Sequence, residues 1–331
     1  MTVLRKDLRR FILTVSPALM LSTLCLACEV PVFRYALERW AAGQYQIEVA
    51  SPATLSPTQQ MLVRSLREQL HGFADVTVQQ NVKAPKDPSS GAKGNQDSPD
   101  QPTITGYYPE DSEMVAGQQA FQLDLTETSI AGIAQSPKRE ELIRHLAAGQ
   151  SAVWLLLKSG SQMLDEAALK TLQTQLAADA EELTLPSFDE PDLSPEQLSA
   201  TKIRLRISFE VVVVDPEDPR ERCLQQMLLR SEPDLSEAQQ PVAFPVFGRG
   251  RVLYALVGPG ITPENIRTAN EFITGPCSCQ VKERNPGFDL LLHSQWDKLV
   301  GDVLISDPIP ETSQAPVLLK IQPGRRKDRR D

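Results

Sequence analysis

The chain has 331 residues, of which 41% are apolar, and this is enough for two ordinary domains with hydrophobic cores. Its net charge of -9 argues against a nucleic-acid binder, because such proteins present a basic surface to the phosphate backbone. Only three histidines are present, so the sequence offers little material for histidine-based metal sites or general bases.

Residues 1–27 have the pattern of an export signal. MTVLRKDLRR is a basic n-region, and FILTVSPALMLSTLCLA is an apolar run as long as a signal h-region. We expect cleavage after Ala27 and export to the periplasm or cell envelope, with an uncleaved membrane anchor as the alternative. Because this segment has a net charge of +3, its removal changes the net charge of the chain from -9 to -12. No later stretch is long and apolar enough to span a bilayer.

Cys28 is a candidate for lipidation. The sequence Leu-Cys-Leu-Ala-Cys, residues 24–28, resembles a bacterial lipobox, and the resemblance implies acylation of Cys28 as the first mature residue. The match departs from the usual pattern at Cys25, where a leucine is normally found. An acylated Cys28 would attach the chain to the membrane through its N-terminus.

Residues 28–148 predict an N-terminal α/β domain. Helical spacing of apolar residues predicts helices in EVPVFRYALERWAAG, after Ser56-Pro57 and after Ser136-Pro137. Apolar side chains at strand spacing predict strands in YQIEVA, ADVTVQQ and AFQLDLT. Residues 83–103 contain almost no apolar side chains, which predicts a disordered insertion within this domain.

Residues 151–300 predict a second α/β domain. AVWLLLKSG is typical of a strand covered on both faces, and Asp165 can cap the helix that follows it. IRLRISFEVVVVD predicts a long strand, followed by a helix over residues 217–230. The turn Gly248-Arg249-Gly250 joins strands in VAFPVF and RVLYALVG, and Thr262-Pro263 begins another helix.

The predicted order over residues 151–274 is strand, helix, strand, helix, strand, strand, helix, which resembles the thioredoxin fold. In that family a proline begins the final hairpin beside the active site, and the resemblance implies this position for Pro241 or Pro245. The family's dithiol follows the first strand, where this chain has residues 158–162, Lys-Ser-Gly-Ser-Gln. The resemblance therefore implies a domain that lacks the dithiol and does not exchange disulfides by that route.

The N-terminal half resembles the same order more faintly, with Cys28 at the start of its first helix, where the helix dipole favours a thiolate. We therefore predict the α/β class, with two tandem thioredoxin-like domains that each have a mixed sheet and flanking helices. Over CEVPVFRYALERW and CSCQVKERNPGFDLL the chain also resembles a group of uncharacterised exported bacterial proteins. That second resemblance implies no activity.

The cysteines are the residues in which chemistry could reside. Removal of the signal segment removes Cys25, and lipidation would occupy Cys28, which leaves Cys223, Cys277 and Cys279. An odd remainder in an exported protein predicts one free thiol or an intermolecular bond.

Three interpretations of Cys277-Ser278-Cys279 remain open, on a segment that we expect to be irregular and accessible. In the first, one of the two cysteines bridges to another cysteine and staples CQVKERNPGFDLLL to the domain. In the second, the pair forms a strained redox disulfide. In the third, the thiolates recruit copper or zinc, with Cys28, Cys223 or His293 as further ligands. We predict no cofactor and assign no metal ligand.

The histidines give no catalytic prediction. His71 and His145 fall near the ends of predicted helices, where an interaction with the helix dipole explains them. His293 lies near Ser294 and Asp297 in the sequence, but no Gly-x-Ser-x-Gly motif supports a catalytic triad.

The sequence thus predicts a non-enzymatic, exported protein that binds or scaffolds an unidentified protein partner at the cell envelope, with a lipid anchor if Cys28 is acylated. No nucleic-acid partner is expected. The alternative is an envelope thiol-disulfide or metal-handling protein that uses Cys277 and Cys279. Residues 301–331 predict an extended basic tail.

Overall fold

The computed structural model describes residues 28–80, 101–112, 114–186, 199–277 and 280–309, with the backbone alone for residues 28 and 29. The predicted export signal, most of the predicted insertion, Cys279 and the tail after residue 309 lie outside these residues. Within the described part of the chain, no helix is long and apolar enough to cross a bilayer.

The fold is mixed α/β. The α-helices are α1 (Val32–Arg39), α2 (Pro57–Gln69), α3 (Glu127–Ala134), α4 (Pro137–Ala147), α5 (Gln162–Glu182), α6 (Arg222–Leu229), α7 (Pro263–Thr274) and α8 (Trp296–Val300). The strands are β1 (Cys28–Pro31), β2 (Tyr45–Ser51), β3 (Ala74–Gln80), β4 (Thr103–Tyr107), β5 (Gln119–Asp124), β6 (Ala152–Leu157), β7 (Phe209–Val214), β8 (Val242–Phe247), β9 (Arg251–Val252), β10 (Leu256–Val257), β11 (Pro276–Cys277) and β12 (Phe288–Asp289).

A four-stranded sheet has the order β3-β2-β4-β5, in which β2 and β3 are parallel and the other neighbours antiparallel. Strand β4 begins at Thr103, the last residue of the predicted insertion, and its Ile104 is fully buried. The predicted insertion therefore extends too far at its C-terminal end, because Thr103 pairs with both neighbouring strands.

A six-stranded sheet has the order β12-β9-β8-β6-β7, and β10 pairs with β8 off this path. Strands β6 and β7 are parallel, whereas β8 runs antiparallel to β6 and β9. The predicted turn is confirmed: Gly248 and Gly250 have φ values of +59° and +104° between β8 and β9. Glycine is favoured there because residues with a side chain rarely adopt these backbone angles. The strand predicted in RVLYALVG is divided into β9 and β10, which both pair with β8.

Strand β6 is buried on both faces, as its apolar sequence predicts. Val153, Leu155 and Leu157 belong to an apolar cluster that also contains side chains from the four-stranded sheet. The alternate residues of β6, among them Trp154, belong to a second cluster with side chains of α1, α5 and α7. The larger cluster is thus shared by residues from both predicted domains.

Helix α1 packs on the six-stranded sheet, although the sequence groups it with the N-terminal domain. Phe33, Ala36 and Trp40 belong to the second cluster, and Trp40 contacts Phe247 of β8 with a ring-centroid distance of 6.3 Å. The turn before β9 approaches the same helix, since a Cβ on Gly248 would lie 2.6 Å from the Cβ of Ala36. The first strand of the four-stranded sheet in chain order is therefore β2.

Candidate functional site

The C-x-C segment meets the start of the described chain in a two-stranded antiparallel sheet. Strand β1 pairs with β11, with Cys28 opposite Cys277 and Pro31 opposite Pro276. The amide of Val32 donates to the carbonyl oxygen of Gly275 at 3.0 Å. This pairing cannot be read from the sequence, because two strands of two and four residues that contain prolines have no recognisable periodicity.

Cys277 is buried, with 1% of its surface exposed, in the apolar cluster that contains Val30, Phe33 and Ile273. This corrects the expectation of an irregular, accessible segment after α7, because β1 pairs with it. Cys279, its predicted partner in a redox or metal site, lies outside the described residues.

Cys223 lies on α6 and belongs to the other apolar cluster, so β6 and its neighbours separate it from Cys277. It forms no disulfide bond. Burial raises the pKa of its thiol to about 11, so that the thiolate is scarce near neutral pH. Its position and its protonation state favour a structural role.

The loop after β6 occupies the place where the thioredoxin fold has its dithiol. The carboxylate of Asp165 accepts hydrogen bonds from the amide of Ser159 at 2.7 Å, the hydroxyl of Ser159 at 2.8 Å and the amide of Gly160 at 3.1 Å. Asp165 is 5% exposed and lies in the first turn of α5, whose N-cap residue is Ser161. Asp165 was expected to cap α5 as its N-cap residue. Its carboxylate instead accepts hydrogen bonds from the amides of the loop that precedes the helix.

A polar network fixes the helices that flank this loop. The indole nitrogen of Trp154 donates to the Oδ1 atom of Asn270 at 3.1 Å, and the Nδ2 atom of Asn270 donates to Asp179 at 2.6 Å. Asp179, on α5, also pairs with Arg267 at 3.0 Å, although none of its surface is exposed. These bonds join β6, α5 and α7. The polar groups of Trp154, Asn270 and Asp179 are used in contacts within the fold, which indicates a structural role.

The two candidate prolines differ in their positions. Val242 lies opposite Leu157 in the register of β8 and β6, so Pro241 lies beside the end of β6 where the Ser159 loop begins. Pro245 lies opposite Trp154 in the middle of the strand pair. Both prolines follow trans peptide bonds. Pro241 is therefore the one that stands next to the loop.

A buried ionic cluster, made of Arg251, Lys282, Asp289 and Asp111, was not found by sequence reasoning. Lys282 Nζ lies 2.5 Å from Asp289 Oδ2 and 2.6 Å from Asp111 Oδ2, and Arg251 Nη1 lies 3.1 Å from Asp289 Oδ1. Arg251, Lys282 and Asp289 are each at least nine-tenths buried. Isolated charges in a sequence carry no sign of such burial.

The same cluster joins separate parts of the chain. Asp289 also accepts from the amide of Gly43 at 2.7 Å, and Lys282 donates to the carbonyl oxygen of Ala41 at 2.7 Å. The hydroxyl of Tyr45, on β2, donates to the carbonyl oxygen of Asp289 at 2.8 Å. Each charged group of the cluster has an ionic partner, although the Oδ1 atom of Asp111 accepts no hydrogen bond. Removal of one partner would leave a buried charge uncompensated, so we assign the cluster a structural role.

A second buried ion pair holds the chain after α8. Arg34 pairs with Glu38 at 2.6 Å, and the other Glu38 oxygen accepts from the amides of Ile305 at 3.0 Å and Ser306 at 2.8 Å. Ile305 and Ser306 are buried. The start of the predicted basic tail is therefore part of the packed structure.

The histidines do not assemble a catalytic site. His293 is exposed, and its ring contacts that of Phe73 with a centroid distance of 4.0 Å and an interplanar angle of 58°. Asp297 pairs with Arg249 at 2.8 Å. His145 lies in the last turn of α4, and His71 follows the end of α2. Across the described ranges, no group of three or more His, Cys, Asp or Glu side chains could hold a metal ion.

Comparisons of the chain with models of protein families, with curated proteins and with solved structures gave no match.

Proposed function

We propose that this chain is a non-enzymatic protein of the cell envelope, which binds or scaffolds a protein partner through thioredoxin-like units that lack a working dithiol. The observation that carries the proposal is the loop after β6. Its amides are bound by the carboxylate of Asp165, and it contains no cysteine.

The strand orders support the thioredoxin-like part of the proposal. The two large sheets share one strand order, β3-β2-β4-β5 in the first and β7-β6-β8-β9 in the second. Counted along the chain within each unit, this order is second, first, third, fourth. In both units the first two strands are parallel and the later neighbours are antiparallel. A right-handed crossover through α2 or α5 would connect the parallel strands.

The chemistry of the loop supports the absence of catalysis. At the start of a helix, unpaired amides and the helix dipole stabilise an anion, and a thioredoxin-like enzyme uses this position for its attacking thiolate. In this chain the carboxylate of Asp165 takes the amides of Ser159 and Gly160. The adjacent Pro241 therefore borders a loop that carries serine hydroxyls and no thiol.

Export rests on the sequence of residues 1–27, in which a basic n-region precedes an apolar run as long as a signal h-region. Cleavage after Ala27 would leave Cys28 as the first residue of the mature chain. The sequence leaves lipidation of Cys28 open, and a lipid there would hold the folded chain directly at the membrane surface.

The non-enzymatic part is tested by an assay of disulfide reduction with the full chain, a protein disulfide as substrate and dithiothreitol as reductant. We expect the rate to equal the rate without the chain. The matched variant is Ser161→Cys with Leu164→Cys, which introduces a C-x-x-C motif at the start of α5 while it keeps Ser159 and Asp165. We expect this double variant to accelerate the reaction, and acceleration by the unmodified chain would contradict the proposal.

The second candidate function is thiol-disulfide or metal handling by Cys277 and Cys279. The observation that favours it is the register of β1 and β11, because it brings Cys28 opposite Cys277 and supplies a third sulfur. Copper and zinc contents of the reduced, purified chain distinguish the two functions. A stoichiometric metal content that is lost in Cys277→Ser would support this candidate over the first one.

A further inference from the structure

The cysteine that begins β1 and the cysteine in β11 are direct neighbours across an antiparallel ladder. Cys28 pairs with Cys277 in the register of the two strands, and the register shifts between this pair and the next one, Pro31 opposite Pro276. Opposite residues of a regular ladder have Cα atoms about 4.5–5.5 Å apart. A disulfide bond needs Cα atoms about 4.4–6.8 Å apart, so two cysteines that face each other in a ladder lie within the range for a cross-link.

We propose that Cys28 and Cys277 form a structural disulfide bond in the mature chain. The inference rests on the proposed export, since an oxidising envelope supplies the oxidant, which is a protein disulfide or oxidised glutathione. One cysteine thiolate attacks this disulfide and forms a mixed disulfide, with release of one thiol. The second cysteine thiolate then displaces the other thiol. Two electrons pass to the oxidant, and its two sulfurs leave as thiols with the two protons.

The surroundings of Cys277 determine which kind of disulfide this is. Cys277 is 1% exposed and lies among the buried side chains of Val30 and Phe33. A thiol of another molecule could therefore not reach the disulfide bond in the folded chain. A buried disulfide of this kind is a stable cross-link and would not turn over substrates. The bond ties the first residues of the mature chain to the segment after α7.

Cys277 is the cysteine that the register places opposite Cys28, whereas Cys279 lies outside the described residues. The proposal therefore assigns the bond to Cys277 and leaves Cys279 as a thiol.

The cross-link and the lipid anchor are alternatives, because both use the sulfur of Cys28. Lipidation would join that sulfur covalently to the lipid, which leaves no thiol to oxidise. The proposal thus predicts an exported chain without a lipid on Cys28.

The test is a tryptic map of the full chain under non-reducing conditions, after free thiols are alkylated in denaturant. The chain is recovered from the envelope of a bacterial host, and a second sample is purified whole and equilibrated with oxidised glutathione. We expect the peptide CEVPVFR to be joined to TANEFITGPCSCQVK, which should carry one alkyl group, while CLQQMLLR carries one alkyl group at Cys223. Reduction should release the first two peptides.

Two serine variants assign the bond and serve as controls for each other. Cys279→Ser should keep the cross-linked peptides, and Cys277→Ser should lose them. As a second measurement, reduction should lower the unfolding temperature of the unmodified chain and of Cys279→Ser by about 5 °C or more. Reduction should not change the unfolding temperatures of Cys28→Ser and Cys277→Ser.

Three outcomes would overturn the cross-link: a lipid-modified Cys28, a disulfide confined to TANEFITGPCSCQVK, or a cross-link that persists in Cys277→Ser. Failure of export gives a different result. The N-terminal peptide would then begin at Phe11 as FILTVSPALMLSTLCLACEVPVFR, and the sample equilibrated with glutathione would still report whether Cys28 and Cys277 bond.

Discussion

At the scale of single residues, two arginine–glutamate pairs with the same spacing have different surroundings. Arg34–Glu38 and Arg64–Glu68 are both i,i+4 pairs on helices, with N···O distances of 2.6 Å and 3.0 Å. The side chain of Glu38 has no exposed surface, whereas 67% of the Glu68 side chain is exposed. Burial, and not the pairing itself, sets the cost of losing one partner.

We predict that Glu38→Gln lowers the free energy of unfolding by about 3–5 kcal/mol, because Arg34 would remain buried without its counter-charge. The Nη2 atom of Arg34 already lacks a hydrogen-bond partner. The matched variant Glu68→Gln should change the free energy by about 0.5 kcal/mol or less. Urea unfolding measures both, and equal losses would contradict the role given to Glu38.

The raised pKa of Cys223 predicts that the stability of the fold decreases at alkaline pH. Burial raises the pKa of its thiol from 9.0 in the unfolded chain to about 11, so above pH 9 the unfolded chain releases a proton that the folded chain keeps. Stability should therefore fall between pH 9 and pH 11, by up to about 2–3 kcal/mol from this residue. Cys223→Ala should show a shallower fall in urea unfolding over that range, and an unchanged slope would contradict the assignment.

At the scale of elements, the turn between β8 and β9 is held against α1. Arg249, in the turn, donates to the carbonyl oxygens of Leu37 at 2.8 Å and Glu38 at 3.1 Å. Gly248 has a positive φ and approaches Ala36 closely. The hairpin thus positions the helix that follows β1, and it connects the cysteine ladder to the large sheet.

We predict that Gly248→Ala destabilises the chain by more than Gly72→Ala does. Both glycines have positive φ values, of +59° and +83°, which cost an alanine about 1 kcal/mol. A Cβ at position 248 would also meet Ala36, whereas nothing lies within 4 Å of a Cβ at position 72. The contact with Ala36 should increase the destabilisation by Gly248→Ala by about 1–3 kcal/mol, as measured by urea unfolding. Equal destabilisation by the two variants would contradict the close approach of the turn to α1.

The elements that the sequence predicts well are those with a local signal. The apolar run of β6 and the glycine turn before β9 depend on neighbours in sequence, and the structure confirms both. Strands β1 and β11 depend on a partner about 250 residues away, and β4 follows a polar segment directly, so their residues carried no readable pattern. IRLRIS was predicted as strand because its apolar residues alternate, but the strand begins at Phe209.

The same limit applies to the candidate site. Spacing identified Cys277 as a residue of interest, and it could not reveal the burial of Cys277 or its register with Cys28. The cluster of Arg251, Lys282 and Asp289 was missed for the same reason, since a charged residue in a sequence predicts exposure. Long-range contacts decide these environments.

At the scale of the whole molecule, the two large sheets share one apolar cluster and a set of polar links. Tyr108 donates its hydroxyl to the carbonyl oxygen of Met227, and the amide of Gln122 donates to the side chain of Gln226 at 2.7 Å. Both bonds join the four-stranded sheet to α6. Together with the ionic cluster around Asp289, they couple the two halves.

We predict that the two halves unfold in a single transition. Hydrogen exchange read by mass spectrometry in increasing urea should show β2 and β6 losing protection at the same denaturant concentration, because neither sheet keeps its core without the other. Loss of protection in β2 well before β6 would contradict this coupling. The variant Lys282→Met, which removes a buried cation, should lower both midpoints together.

The envelope role and the oxidising surroundings of Cys28 both depend on export. The most direct measurement is the mass of the intact chain recovered from the envelope fraction of a bacterial host. We predict a chain that begins at Cys28, with the mass of residues 28–331 less two hydrogens for the one disulfide. A chain that keeps Met1 and remains in the cytosolic fraction would contradict it.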